Sequence, residues 1–250
     1  MDSATGHGKA LVNGVVDAGA PAIPFAFPGI PGVRCLFSTI SAGTMTPGGT
    51  TAAGRRRFMR LGGFTRWAEL RQVHGDRLVP AAETPVDADG GVEADGHYTA
   101  EPGLGLIIKT ADCQPILFAR VGGGAVAALH VGWRGNAANF PGVAVERLCG
   151  HFSCPPEDLC AVRGPSLGPA ASEFVNFHRE WPKEFLPWFE TATKTVNLWE
   201  LTKRQLECAG LRGDRIFGLD LCTRSLPGKF FSYRRKDAGR QVAVVWIDRP

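Results

Sequence analysis

A chain of 250 residues with 44% hydrophobic content is long enough to bury one large core, and 28 basic against 24 acidic residues leave a net charge of only +4. The basic residues are scattered, which fits small anionic ligands and argues against a nucleic-acid partner, and no stretch reaches membrane-spanning length. Seven cysteines, an odd number, do not read as a disulfide framework, and the N-terminus lacks a basic segment leading into an apolar core, so a reducing, cytoplasmic setting is expected.

Residues 1–33, rich in Gly, Ala and Pro, read as a loosely structured arm, and 34–250 as a single catalytic domain whose first strand lies near 34–39. The Gly/Thr-rich segment STISAGTMTPGGTTAAG lacks the Gly-Lys-Ser/Thr ending of a phosphate loop and reads as a surface loop. Arg55, Arg56 and Arg57 read as a solvated helix face. From residue 64 onward, WAELRQV, RLVPA, GLGLIIKT, QPILFAR and AVAALHV are short β-rich runs separated by Gly, Asp and Pro, as expected of central strands. Apolar spacing over 136–151 predicts a helix with Pro141 confined to its first turn. A strand over 159–162, the turn RGPSLGP and a Trp/Phe-rich helix from about 176 follow. Asn197 is placed to cap a helix over 198–209 that Gly210 ends. The C-terminal FFSYRRKDAGRQVAVVWID predicts a hairpin turning at 237–239.

Three polar residues, His74, Cys113 and His130, stand where apolar runs give way to turns. Strand ends are where open α/β sheets keep their chemistry, and two imidazoles plus a thiolate leave a fourth tetrahedral position open on a metal. They lie 39 and 17 positions apart, so spacing alone proves nothing and excludes a zinc finger. Three readings follow: a zinc site that lowers the pKa of a bound water toward ~7; a Cys113 nucleophile activated by one histidine; and a blue-copper site, for which Met45 or Met59 would have to be the axial ligand. A closed structural site would need a further ligand, for which His97 is the candidate. Cys149, Cys154 and Cys160 match no metal spacing and read as packing residues. Arg134, Arg163, Arg234, Arg235 and Arg240 sit among glycines and polar residues, and their guanidinium forks suit phosphate or carboxylate; for Arg235 and Arg240 a surface salt bridge is an equal alternative.

The motifs QVHG at 72–75, TADCQPIL at 110–117, LHVGWRG at 129–135, RGPSLGP at 163–169, RQLECAGL at 204–211 and CT…FFSYRR…GR at 222–240 together resemble the YfiH-like family. Its members carry the labels polyphenol oxidoreductase or laccase and, more recently, purine nucleoside phosphorylase. The resemblance implies a single α/β domain of packed mixed β-sheets flanked by helices, with zinc (or copper) on His74, Cys113 and His130. It also implies phosphorolysis of adenosine, inosine and methylthioadenosine, and adenosine deamination, with small-molecule nucleoside and phosphate as partners of a monomer or homodimer. On that footing Cys113, Asp112 and Arg134 are the catalytic candidates, Asp112 as proton carrier, and Arg134, Arg234, Ser232 and Gln72 the substrate- and phosphate-binding set. Multicopper chemistry is disfavoured, since it needs about ten histidines in paired motifs. This chain has six, with no His-x-His pair.

Overall fold

The computed structural model describes residues 19–46, 52–84 and 91–249. In chain order its strands are β1 (Ala22–Phe25), β2 (Val33–Ser38), β3 (Arg66–Glu69), β4 (Leu78–Pro80), β5 (Gly96–Thr99), β6 (Leu104–Thr110), β7 (Gln114–Arg120), β8 (Val126–Val131), β9 (Leu159–Arg163), β10 (Phe189–Glu190), β11 (Thr195–Val196), β12 (Ile216–Gly218) and β13 (Gln241–Ile247). The α-helices are α1 (Ala52–Gly62), α2 (Trp133–Ala137), α3 (Phe140–Phe152), α4 (Phe177–Glu180) and α5 (Leu198–Cys208). None of the helices in the described residues is long and apolar enough to cross a membrane.

Two mixed sheets carry the fold, ordered β1-β2-β13-β6-β3 and β12-β9-β7-β8-β5-β4, beside a two-stranded β10-β11 ribbon. Central strands read as unbroken apolar runs because each has both faces buried. On β7, Leu117 and Ala119 face the first sheet in a shared core with Leu106, Ile108, Ala243 and Val245. The alternate residues Ile116 and Phe118 pack outward on Phe140, Val145 and Leu148 of α3 and Leu206 of α5. The outer face of the first sheet, Ile107, Val242, Val244 and Trp246, is covered by Phe58 of α1. The result is a helix–sheet–sheet–helix sandwich, the packed α/β architecture expected.

The helix caps also agree with the sequence. Asn197 accepts a hydrogen bond from the Glu200 backbone N–H at 3.1 Å, and Gly210 takes φ +100° just beyond α5. Pro141 sits in the first turn of α3.

Four expectations need correction. Within the stretch read as a loose arm, Ala22–Phe25 forms an edge strand, since Ile23 and Phe25 point into the inter-sheet core and the backbone pairs antiparallel with β2; residues 1–18 lie outside the described residues, as does part of the Gly/Thr-rich loop. The C-terminal hairpin is absent: Tyr233–Arg235 is a 3-10 turn, and β13 pairs instead with β2 and β6. The Trp/Phe-rich helix shrinks to α4, because Pro182 and Pro187 interrupt it. Its aromatic side chains still pack, with Phe174, Phe177, Trp181 and Phe185 forming a separate cluster against Trp133. Finally, Arg55 turns inward, its guanidinium 5.9 Å from the Trp67 ring, while Arg56 and Arg57 stay exposed.

Candidate active site and metal centre

Three chain segments meet at one end of the sandwich. His74 lies in the loop after β3 at φ +63°, Cys113 in the turn between β6 and β7, and His130 is the penultimate residue of β8. His130 is therefore a strand residue, only 4% exposed, rather than a group beyond the strand end. One donor atom from each of the three lies within 4.8 Å of the others, and the two imidazole rings stand nearly perpendicular. Two imidazoles and a thiol at this spacing need only small adjustments to reach zinc bond lengths of about 2.0–2.3 Å, so the residues fit a three-donor site with one open position.

Electrostatics ready the Cys113 thiol for a metal but hold His130 as an imidazolium, which must shed its proton before it can ligate. Burial alone would push the Cys113 thiol up, but the adjoining His130, by charge and hydrogen bond, and His74 bring it down to about 6. Burial would likewise lower His130, yet the Cys113 thiolate and the Asp95 carboxylate raise it. Gly132 follows the β8 ligand for a spatial reason: a β-carbon there would stand 3.1 Å from the Cys113 sulfur and 3.2 Å from the His74 ring.

The triad opens into a cavity of about 800 Å³. Trp133, Phe174, Leu198 and Tyr233 supply apolar wall, and Arg71, Lys109, Arg134, Arg234 and Arg240 supply positive charge. The Arg134 guanidinium lies 4.4 Å from the Trp133 ring, and that of Arg234 lies 5.5 Å from Phe174. Both arginines are exposed. Lys109 is held by the buried Glu69 at 3.0 Å. A lysine inside the apolar run GLGLIIKT was the available signal for it.

Several predicted site residues take other roles. The Gln72 amide makes a two-point clasp on Lys109, donating to its carbonyl and accepting from its N–H, both at 2.8 Å. Ser232 is fully buried and donates to Asp112 at 3.0 Å. Ser232 is thus turned to Asp112, while Gln72 lines the cavity and keeps one amide N–H outside the clasp. Asp112, at φ +89°, accepts from the Thr223 hydroxyl at 2.7 Å, the Ser232 hydroxyl and the Arg234 N–H at 2.7 Å. With both oxygens engaged it anchors the 223–234 loop.

Arg163 is outside the cavity. Its guanidinium stacks on Trp199 at 4.1 Å and pairs with Asp220, and burial lowers its pKa to about 10 despite that pairing. Arg235 is spent on the carbonyls of Thr223, Arg224 and Phe230 and on Asp237. Met45 and Met59 pack in the cluster beneath α1 and do not line the cavity, so neither serves as an axial copper ligand. His97 is buried between the sheets, outside the donor group. Cys149 and Cys154 pack under α3 and Cys160 in the inter-sheet core, as expected. Sequence reasoning missed Asp95, which is wholly buried and bonded to His130 at 2.7 Å.

These features define a single-domain α/β protein in which a His-Cys-His group that could hold a metal ion opens into a basic pocket. The chain belongs to the family described as multi-copper polyphenol oxidoreductase laccase, whose sequence model matches residues 49–248. It is 34% identical to the purine nucleoside phosphorylase of Haemophilus influenzae over 189 residues, 72% of this chain and 73% of that protein. Identity is also 34% to the purine nucleoside phosphorylase YfiH of Escherichia coli, covering 71% and 72% respectively. Among solved structures, a Neisseria meningitidis protein of the family DUF152 superposes with a TM-score of 0.75 at 25% identity, covering 92% of this chain and all of that one. YlmD from Geobacillus stearothermophilus gives 0.75 at 26% identity, covering 89% and 94%.

Proposed function

We propose that this chain is a purine nucleoside phosphorylase that carries zinc on His74, Cys113 and His130. The observation that carries the reading is the union, in one cavity, of an open three-donor group with the exposed guanidinium groups of Arg134 and Arg234. Relatives 34% identical bear the name of that activity. A metal ion at the triad supplies Lewis acidity at its open position. Arg134 and Arg234 offer forks that each match two oxygens of inorganic phosphate, whereas the Lys109 ammonium is already paired with the buried Glu69. Phosphate held there stands against the ribose C1′; the C1′–O bond forms as the C1′–N9 bond breaks, and the purine leaves with the electron pair.

Adenosine deamination has weaker support. Zinc deaminases use a carboxylate free to shuttle a proton, whereas Asp112, the only acid lining the cavity among the described residues, already accepts three hydrogen bonds from protein donors. A second reading, hydrolysis by a Cys113 nucleophile, is favoured by one observation: Cys113, His130 and Asp95 are linked in series, as a thiol hydrolase requires.

Inosine, adenosine and methylthioadenosine incubated with and without phosphate separate these readings. Base release that requires phosphate, stops on chelation and is lost in Cys113→Ala is expected. Arg134→Ala and Arg234→Ala should each raise the KM for phosphate by roughly tenfold or more, the effect of losing a charged hydrogen bond. Turnover that tolerates chelation but is blocked by thiol alkylation would assign the hydrolase instead.

A further inference from the structure

Asp95 occupies an unusual position relative to the triad. It immediately precedes β5, and its carboxylate projects into the turn that carries His74. The N–H groups of Val73, His74 and Gly75 all donate to it, at 3.2, 2.9 and 2.6 Å. Three consecutive N–H groups converge on one anion only when the chain is bent, and the left-handed φ of His74 provides that bend. Such a backbone cup ordinarily captures a free anion; here a side chain fills it.

The same residue reaches His130 twice. Its carbonyl accepts from the His130 N–H at 2.7 Å, and its Oδ1 accepts from His130 Nδ1 at 2.7 Å. Oδ1 is thus shared between the His74 backbone and the His130 ring. Asp95 itself is 0% exposed, so water does not compete for these bonds.

We infer that Asp95 is the positioning residue of the metal centre: one carboxylate fixes the loop that carries His74 and the ring of His130, and commits His130 to bind metal through Nε2. The inference rests on the reading of the triad as a metal site. An imidazole has two nitrogens, and the one bonded to a carboxylate carries the proton, leaving the other as the lone-pair donor. Because the two histidine segments share one anchor, removing it disturbs two of the three ligands together. Cys113, held by the turn between β6 and β7, has no bond to Asp95.

Zinc affinity measured by competition with a chromophoric chelator tests this without reference to turnover. The parent should bind one zinc that Cys113→Ala fails to bind; a parent that binds none, or a Cys113→Ala protein that binds normally, overturns the metal reading and the inference with it. Asp95→Asn keeps one oxygen acceptor but turns an amide N–H₂ toward the Val73–Gly75 donors. It is expected to weaken zinc about 10–100-fold, the range for partners of metal-bound histidines. A loss no greater than about threefold, with the parent site intact, overturns the role of Asp95 while leaving the metal site standing. Nitrogen-15 spectra of the cadmium-loaded parent give an independent readout that does not need the variant to fold. Metal coupling to His130 Nε2 with a proton on Nδ1 supports the inference, and coupling to Nδ1 overturns it.

Discussion

Two residues show how little room the site leaves. Asp112 holds a backbone conformation that costs a non-glycine residue about 1–3 kcal/mol, and three donors on its carboxylate, with the Leu167 N–H on its carbonyl at 2.8 Å, keep it there. Asp112→Asn replaces one acceptor oxygen with a donor facing donors. Urea denaturation should show a loss of about 3 kcal/mol, and phosphorolysis should fall because Arg234 is tethered through its own N–H to the same carboxylate. A proton carrier alone would leave stability unchanged, so the denaturation midpoint separates the two roles. Gly132→Ala probes volume rather than charge. Its backbone φ of −82° suits alanine, but the added methyl would press on the Cys113 sulfur and the His74 ring. Zinc affinity is expected to drop roughly tenfold with helix content unchanged by circular dichroism, on the scale of other changes beside metal ligands.

At the scale of elements, the piece that aims Arg134 is α2, one turn and a half of helix too short to be stable alone. A buried polar network fixes it. Gln114 Nε2 donates to Asn136 Oδ1 at 3.0 Å and to Thr202 at 2.9 Å, while Asn136 Nδ2 donates to Thr202 and to Gln205 Oε1, both at 2.8 Å. Gln205 in turn donates to the Asn136 carbonyl at 2.7 Å. Asn136→Ala strands polar partners on β7 and α5 and should destabilise the protein by about 2–4 kcal/mol, with a raised phosphate KM measured in the folded fraction. The elements legible in the sequence were those whose cause is local or periodic. The doubly buried runs of β6, β7 and β8 announced themselves by apolar continuity, and α5 by its Asn197 cap and Gly210 stop. The 223–240 loop was not legible, because its shape is set by Asp112 and by the Arg235 carbonyl contacts, partners reached only in three dimensions. The same holds within the site. The triad showed as polar residues breaking apolar runs, but which atoms Gln72 and Ser232 would meet depends on strands far away in sequence, and both proved to be bonded to protein. Asp95 gave no signal because an acid before a strand is ordinary until its neighbours are known.

At the scale of the whole molecule, the inter-sheet core holds a buried titratable residue that the site does not use. His97 on β5 is 0% exposed, neither ring nitrogen makes a full hydrogen bond, and burial drives its pKa from 6.5 down to about 3, an effect the Ile107 backbone only partly offsets. In the unfolded chain the ring takes up a proton below about pH 6.5; in the folded protein it stays neutral until about pH 3. The unfolded state therefore binds the extra proton across that interval, so stability attributable to His97 is intact above pH 6.5, declines as pH falls, and levels off below about 3. On this group alone the protein should be about 2 kcal/mol less stable at pH 5 than at pH 7.5. His97→Leu removes both the unpartnered nitrogens and the titration. Paired urea denaturations at the two pH values should show a smaller loss in the variant than in the parent by about that amount, the carboxylates common to both proteins cancelling in the comparison. Equal losses would mean that His97 is protonated inside the fold, with water or a counter-charge beside it in the inter-sheet core.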